Sequence, residues 1–179
     1  IVYARRLESE SGDRYDVVIA QFYCELAENQ FDSGDPKVTE KSLKKALNID
    51  PQCVRASILE ANLLLEKGKY TAALKAYKRI EKQDADYLPE VIESIISCYR
   101  NLGQMRDAVK FLKSTQERYG GITSLLYLTE LIMELEGEEA GIGYISRVLG
   151  QRPTVKGVDK LLEYTMNGAG KDVLDNLKT

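Results

Sequence analysis

Three glycines recur along this chain at nearly constant distance: Gly34, Gly68 and Gly103 lie 34 and 35 residues apart. Pro51 and Pro153 are 102 residues apart, three times 34. A fixed period of this size constrains the fold more than any local propensity, because it means that one supersecondary unit is repeated and stacked. Four segments align without insertions that strain them: 20–51, 54–85, 89–120 and 122–153, with corresponding positions 33 to 35 residues apart.

Each aligned column has a packing reason. Ala27, Ala61, Ile96 and Thr129 fall where the first helix of each pair approaches its neighbour. Tyr23, Leu26, Ile92, Ile95, Leu125 and Leu128 follow the i, i+3 spacing of an apolar helical stripe. In the second helix Thr39, Ala73, Ala108 and Gly141 form another small column, and Leu43, Tyr77, Leu112 and Ile145 follow one turn later. Lys67-Gly68-Lys69-Tyr70 and Asn101-Leu102-Gly103-Gln104 are short inter-helix turns with glycine where a left-handed cap is needed. Proline after a second helix ends it. This pattern resembles the tetratricopeptide repeat (TPR), whose period is about 34 residues. The expected fold is all-α: a TPR superhelical solenoid of antiparallel helix pairs, with about four repeats and partial terminal helices. Residues 1–10 read as the remnant helix of a preceding repeat and 122–153 as a degenerate repeat. Residues 154–179 read as C-terminal helices, one over 155–166 and the start of another over 171–178, with a break at 167–170. Because the chain begins with Ile1 inside an expected helix, it is expected to be a fragment.

Composition excludes several function classes. The 179 residues are 44% hydrophobic and 30% charged, as in an ordinary globular chain. A net charge of −3 offers no basic face for nucleic acid. There is no histidine, so neither a Ser-His-Asp nor a Cys-His arrangement can form. Cys24, Cys53 and Cys98 are widely separated, with no CxxC pair, and read as buried thiols of a reducing compartment. No apolar run approaches the roughly 20 residues that span a bilayer. The eleven Tyr and three Phe fall mostly on the apolar stripes and read as core.

Motifs with chemical flavour have simpler readings. Gly141-Ile142-Gly143 begins a G-x-G-x-x-G, but Ser146 replaces the third glycine and no strand precedes it. Gly168-Ala169-Gly170-Lys171-Asp172 resembles only the tail of a phosphate loop. Asp32-Ser33-Gly34-Asp35 lacks the alternating oxygen ligands of a calcium loop. Glu134, Glu136, Glu138 and Glu139 read as a solvated turn, and Lys41, Lys44 and Lys45 as a soluble helix face. These readings predict a protein that is not an enzyme.

A solenoid of this kind offers a concave groove lined by the first helix of each pair. Outward positions in the repeat register are Gln21, Glu25, Glu28, Arg55, Asn62, Glu93, Arg100, Tyr127 and Glu130, the candidate partner-binding residues. Their mixed signs suit a polar protein partner. Only Arg55 and Asn62 hint at a clamp for a C-terminal carboxylate, and Glu25, Glu28 and Glu93 would repel one. Stacking edges of a solenoid expose apolar surface, so a homo-oligomer is also an expectation.

Particular strings go beyond the generic repeat. Ile19-Ala20-Gln21-Phe22-Tyr23-Cys24-Glu25-Leu26-Ala27 resembles a stretch of the lipopolysaccharide assembly protein B family (LapB, also called YciM). The likeness continues through Val54-Arg55-Ala56-Ser57, Lys67 to Ala73, Cys98 to Gly103, Tyr144 to Arg147, Arg152-Pro153-Thr154 and Lys160-Leu161-Leu162. The resemblance implies an N-terminal membrane helix, a cytoplasmic TPR array and a C-terminal rubredoxin-like domain with two Cys pairs. It implies an adaptor at the inner membrane that regulates lipopolysaccharide biosynthesis, binding pathway proteins and bringing the deacetylase LpxC to the protease FtsH. The chain departs from that pattern in lacking both ends, so no cofactor is expected here, and the implied iron or zinc belongs to the missing domain. The alternative reading is a generic TPR scaffold of another bacterial envelope or pilus assembly complex.

Overall fold

The computed structural model describes residues 15–167, and before them only Val2 and Arg6. The expected helices over 1–10 and 171–178, the break at 167–170 and the loop 168–172 therefore lie outside the described residues, apart from Val2, Arg6 and Asn167. Among the described residues there are nine α-helices, one 3₁₀ turn and no strand. The helices are α1 (Asp16–Asp32), α2 (Pro36–Ile49), α3 (Val54–Glu66), α4 (Tyr70–Gln83), α5 (Leu88–Asn101), α6 (Met105–Tyr119), α7 (Ile122–Glu136), α8 (Glu138–Gln151) and α9 (Val155–Asn167). The 3₁₀ turn, Ala85–Tyr87, precedes α5. The chain forms two compact units divided between Gly103 and Gln104.

In the first unit α1 pairs with α2 and α3 with α4, while α1 also touches α3 and α4 touches α5. Local sequence dictates the ends of these helices. Asp35 caps α2 by accepting from the backbone N–H groups of Lys37 and Val38, both at 3.2 Å, and Pro36 occupies a first-turn position that needs no donor. At the end of α3, Gly68 adopts φ +68°; its N–H donates to the carbonyl of Leu65 and that of Lys69 to the carbonyl of Leu64. That double bond closes the helix and requires a left-handed residue, which glycine supplies without a Cβ clash. The calcium-like string Asp32–Asp35 is thus a helix–helix turn.

The small columns do what the period demands. Ala27, Ala61, Thr39 and Ala73 are buried, as are Leu43 and Tyr77 one turn further on. The stripe is corrected at Leu26, which is 43% exposed, because α1 packs on α2 and α3 through Ala20, Cys24 and Ala27; Tyr23 is partly buried and packs against the cluster that Ala20 and Cys24 form with Ala46, Cys53 and Ala56. An ion pair ties the layers: Lys67 Nζ lies 2.6 Å from Glu40 Oε1.

That contact, with the bond from Lys67 as the main cause, holds the Glu40 carboxyl below its ordinary value of 4.5. A carboxyl depressed in the folded state adds stability above its unfolded pKa and loses that contribution as pH falls through the folded value. Urea melts above and below pH 4.5 should therefore show a smaller acid loss for Glu40→Gln than for wild type. The difference should stay within about 1 kcal/mol, since both side chains are partly exposed. Identical losses would remove the ion pair from the account.

In the second unit α7 pairs with α8, α6 packs on α7, and α9 packs on both α8 and α7. Leu125, Ile145 and Leu149 form one core cluster of this unit, with Tyr144, Leu161 and Tyr164 packed against it, and Leu112, Leu128 and Ile142 are buried as well. Gly141 lies inside α8, where an added Cβ would sit 2.2 Å from Met133 Cγ and 2.9 Å from the Thr129 carbonyl oxygen. The glycine pair at 141 and 143 is therefore part of a helix, and its buried member is a contact with α7. Glu134, Glu136, Glu138 and Glu139 are all exposed around the α7–α8 turn.

Candidate functional site

The repeat period converts directly into contacts in the first unit. Gln21 and Arg55 are 34 residues apart, so they take equivalent positions on α1 and α3, and Arg55 Nη1 donates to Gln21 Oε1 at 3.2 Å. Arg55 also grips Glu28 with two bonds, Nε to Oε1 at 3.3 Å and Nη2 to Oε2 at 2.6 Å. Glu25 stands 3.9 Å from the same guanidinium. Four of the nine expected residues thus form one charged cluster, with Arg55 as its hub. The carboxylates around it, Glu28 first, raise the Arg55 pKa further.

Gln21, Glu28 and Arg55 line an open cleft of about 860 Å³, whose apolar wall includes Val17, Ile58 and Tyr87. Glu28 also borders a smaller cleft of about 160 Å³ together with Asn62, Phe31 and Leu59. The wall on the α4 side is braced by polar bonds. Ser57 Oγ donates to Gln83 Oε1 at 2.7 Å, Arg79 Nε donates to Ser57 Oγ at 3.0 Å, and Gln83 Nε2 donates to the Pro51 carbonyl at 2.6 Å. Arg79 closes the set by pairing with Glu60 at 2.6 Å.

The remaining expected residues are placed differently. Asn62 accepts from the Tyr77 hydroxyl at 2.6 Å, so it serves the α3–α4 pair as well as the small cleft. Glu93 and Arg100 are exposed on α5 and are not among the residues lining these two clefts. Tyr127 and Glu130 belong to α7 in the second unit, where Glu130 accepts from Tyr164 of α9 at 3.1 Å. Glu130 and Tyr164 are again 34 residues apart, the same rung that Gln21 and Arg55 make in the first unit.

Sequence reasoning missed the apolar members of the cleft and one pair outright. Cys24 and Cys53, which are 29 residues apart, bring their sulfurs to 3.7 Å. Both are buried, yet Cys53 lines the large cleft. The spacing falls short of one period, so no column pairs them; the turn ahead of α3 folds Cys53 back onto α1. Among the described residues no group of three or more His, Cys, Asp or Glu is placed to hold a metal ion. No described helix is long and apolar enough to cross a membrane.

Comparison with known proteins agrees with this architecture. A tetratricopeptide-repeat family model matches residues 30–93. The chain is 34% identical over 166 residues to lipopolysaccharide assembly protein B of Escherichia coli (strain K12), covering 93% of this chain. The chain is similar to lipopolysaccharide assembly protein B. It spans 43% of that protein's length, and 44% of the Haemophilus influenzae lipopolysaccharide assembly protein B, to which it is 29% identical over 96% of this chain. Solved structures share the fold at low identity. Pseudomonas aeruginosa PilF superposes with a TM-score of 0.56 at 14% identity, covering 86% of this chain and 71% of that one. YrrB, described as a TPR protein with an unusual peptide-binding site, gives 0.52 at 15% identity over 98% and 90%. The fold is the all-α TPR solenoid that the period predicts.

The Arg55 cluster has a measurable signature. Arg55→Ala or Glu28→Ala alone should cost no more than about 1 kcal/mol, because these side chains are 37% and 41% exposed. A double-mutant cycle should give a coupling of about 0.5–1 kcal/mol that shrinks at high salt. A coupling of zero would mean that the two-bond contact does not persist in solution.

Proposed function

We propose that this chain is a non-catalytic interaction piece of a LapB-like adaptor, holding partner proteins while the chemistry occurs elsewhere. The observation that carries the reading is the 34% identity to lipopolysaccharide assembly protein B over 93% of the chain, on a fold made of repeats. Repeats of this kind generally bind proteins, because stacked helix pairs leave an extended side-chain surface unused by the core. In the first unit the large cleft combines an apolar wall with the Arg55, Gln21 and Glu28 cluster. That mixture suits an extended peptide segment with apolar and polar side chains in alternation.

On this reading the whole protein regulates lipopolysaccharide biosynthesis at the cytoplasmic face of the inner membrane. It brings LpxC to FtsH, and the iron or zinc centre belongs to a Cys-paired segment of the whole protein rather than to these repeats. The test is co-purification of the full-length protein from cells, side by side with the Escherichia coli relative. Retention of LpxC and FtsH supports the adaptor. Retention of neither, while the relative retains both, overturns it.

A further inference from the structure

Cys24 and Cys53 are the buried nucleophilic groups that the adaptor reading leaves unused. Their sulfurs are 3.7 Å apart, in contact but unbridged; Cys98, the third buried free thiol, is not part of that contact. Both are buried, Cys24 at 0% exposure within α1 and Cys53 at 3% at the N-terminal end of α3; of the two, Cys53 lines the 860 Å³ cleft. Gln21 Nε2 donates to Cys53 Sγ at 3.7 Å from across that cleft. Arg55, two residues on, lines it too.

This arrangement separates the roles of the two thiols. The Cys53 thiol is pushed down chiefly by the bond with Cys24, which stabilises its thiolate; burial opposes this, while the Ala56 backbone N–H and Arg55 assist and Asp50 resists. The same contact, together with burial, pushes Cys24 up, so it keeps its proton. Burial alone pushes Cys98 up. A thiolate, not a thiol, is the nucleophile in two-electron oxidation, and a protonated neighbour at van der Waals distance is placed to resolve the product.

We propose that Cys24 and Cys53 form a peroxide-reactive dithiol site, with Cys53 attacking the oxidant from the cleft and Cys24 closing a disulfide between α1 and the start of α3. In the first step the Cys53 thiolate attacks hydrogen peroxide; an S–O bond forms, the O–O bond breaks, and hydroxide leaves. That hydroxide takes up the proton Cys53 lost on ionising and becomes water. In the second step the Cys24 proton passes to the sulfenic oxygen as the Cys24 sulfur attacks the sulfenic sulfur; the S–S bond forms, the S–O bond breaks, and water leaves. Two thiols and one peroxide become one disulfide and two waters. Bridging needs the sulfurs to close to about 2.05 Å. Cys53 sits outside the helices, just after the α2–α3 turn, so the turn rather than a helix interior takes up the movement.

The site stands independently of which proteins the repeats bind. The test uses the purified chain treated with hydrogen peroxide, blocked with iodoacetamide and mapped by mass spectrometry without reduction. The expected product is an intramolecular Cys24–Cys53 peptide pair lighter by two hydrogens and restored by dithiothreitol, with Cys98 still alkylated. Without peroxide, Cys53 should alkylate roughly tenfold faster than Cys98 at neutral pH. Cys24→Ser should halt the chemistry at a Cys53 sulfenic acid that dimedone traps, and Cys53→Ser should abolish bridging. Oxidation of Cys98 as readily as Cys53, or bridges only between chains, would overturn the proposal. Absence of the dimedone adduct in folded Cys24→Ser would do the same. The competition between Cys53 and Cys98 in the wild-type chain decides the matter even if a variant fails to fold.

Discussion

Gly141→Val should destabilise the protein by about 3 kcal/mol, near the top of the usual range for overpacking a tight contact. The reason is geometric. A Cβ at this position meets Met133 Cγ at 2.2 Å and the Thr129 carbonyl oxygen at 2.9 Å, and the second of these is backbone that cannot rotate away. Helix propensity pulls the other way, since replacing a mid-helix glycine by alanine normally gains about 1 kcal/mol. Gly143 is the internal control: it lies two residues on in the same helix, is exposed, and has nothing within 4 Å of its would-be Cβ. Gly143→Ala should therefore raise the melting temperature while Gly141→Ala lowers it. If both alanine variants stabilise, the close approach of α7 and α8 at Thr129 is not present in solution.

Tyr77→Ala should cost about 3–5 kcal/mol, the range for emptying a large aromatic site in a packed core. Tyr77 has 0% exposure and is among the largest fully buried side chains of the first unit. Its column mates Leu43, Leu112 and Ile145 are buried to the same degree, so the site is a structural rung of the repeat. Tyr77→Phe isolates the hydroxyl, which donates to Asn62 at 2.6 Å. That variant should lose only about 1 kcal/mol, because Asn62 is exposed and its freed oxygen takes water. Urea denaturation of both variants measures the difference. Equal losses would mean that the bond to Asn62, rather than the ring, holds this part of α3 and α4 together.

The two variants also separate packing from recognition. Asn62 was expected in the groove, yet it is partly committed to Tyr77, and Glu130 likewise accepts from Tyr164. A sequence register gives the direction in which a residue projects, but not whether a neighbouring helix supplies a partner for it. Gln21, Glu28 and Arg55 are the expected residues that both project into a cleft and meet one another there.

Much of the fold is legible because a repeat makes packing one-dimensional. Ala73 and Ala108 can be recognised as contact residues without coordinates, since each recurs at the same phase and each must face its own repeat's other helix. The Gln21–Arg55 rung has the same origin: two residues separated by one period take equivalent positions, and stacking brings equivalent positions together. Leu26 fails for the complementary reason. Its i, i+3 spacing from Tyr23 is correct for a helix, but the partners of α1 lie against Ala20, Cys24 and Ala27, and spacing alone does not orient a stripe toward them.

The period of 34 residues, its glycine turns and its small columns were enough to determine an all-α chain of helix pairs, and the composition by itself excluded a histidine-based triad. These are properties of order along the chain, and order is what a sequence records. The meeting of Cys24 with Cys53, the two-bond grip of Arg55 on Glu28 and the apolar wall beside them were decided only by the tertiary structure. Each depends on how far a turn carries the chain back across its neighbour, a distance set by packing of side chains against one another rather than by their spacing.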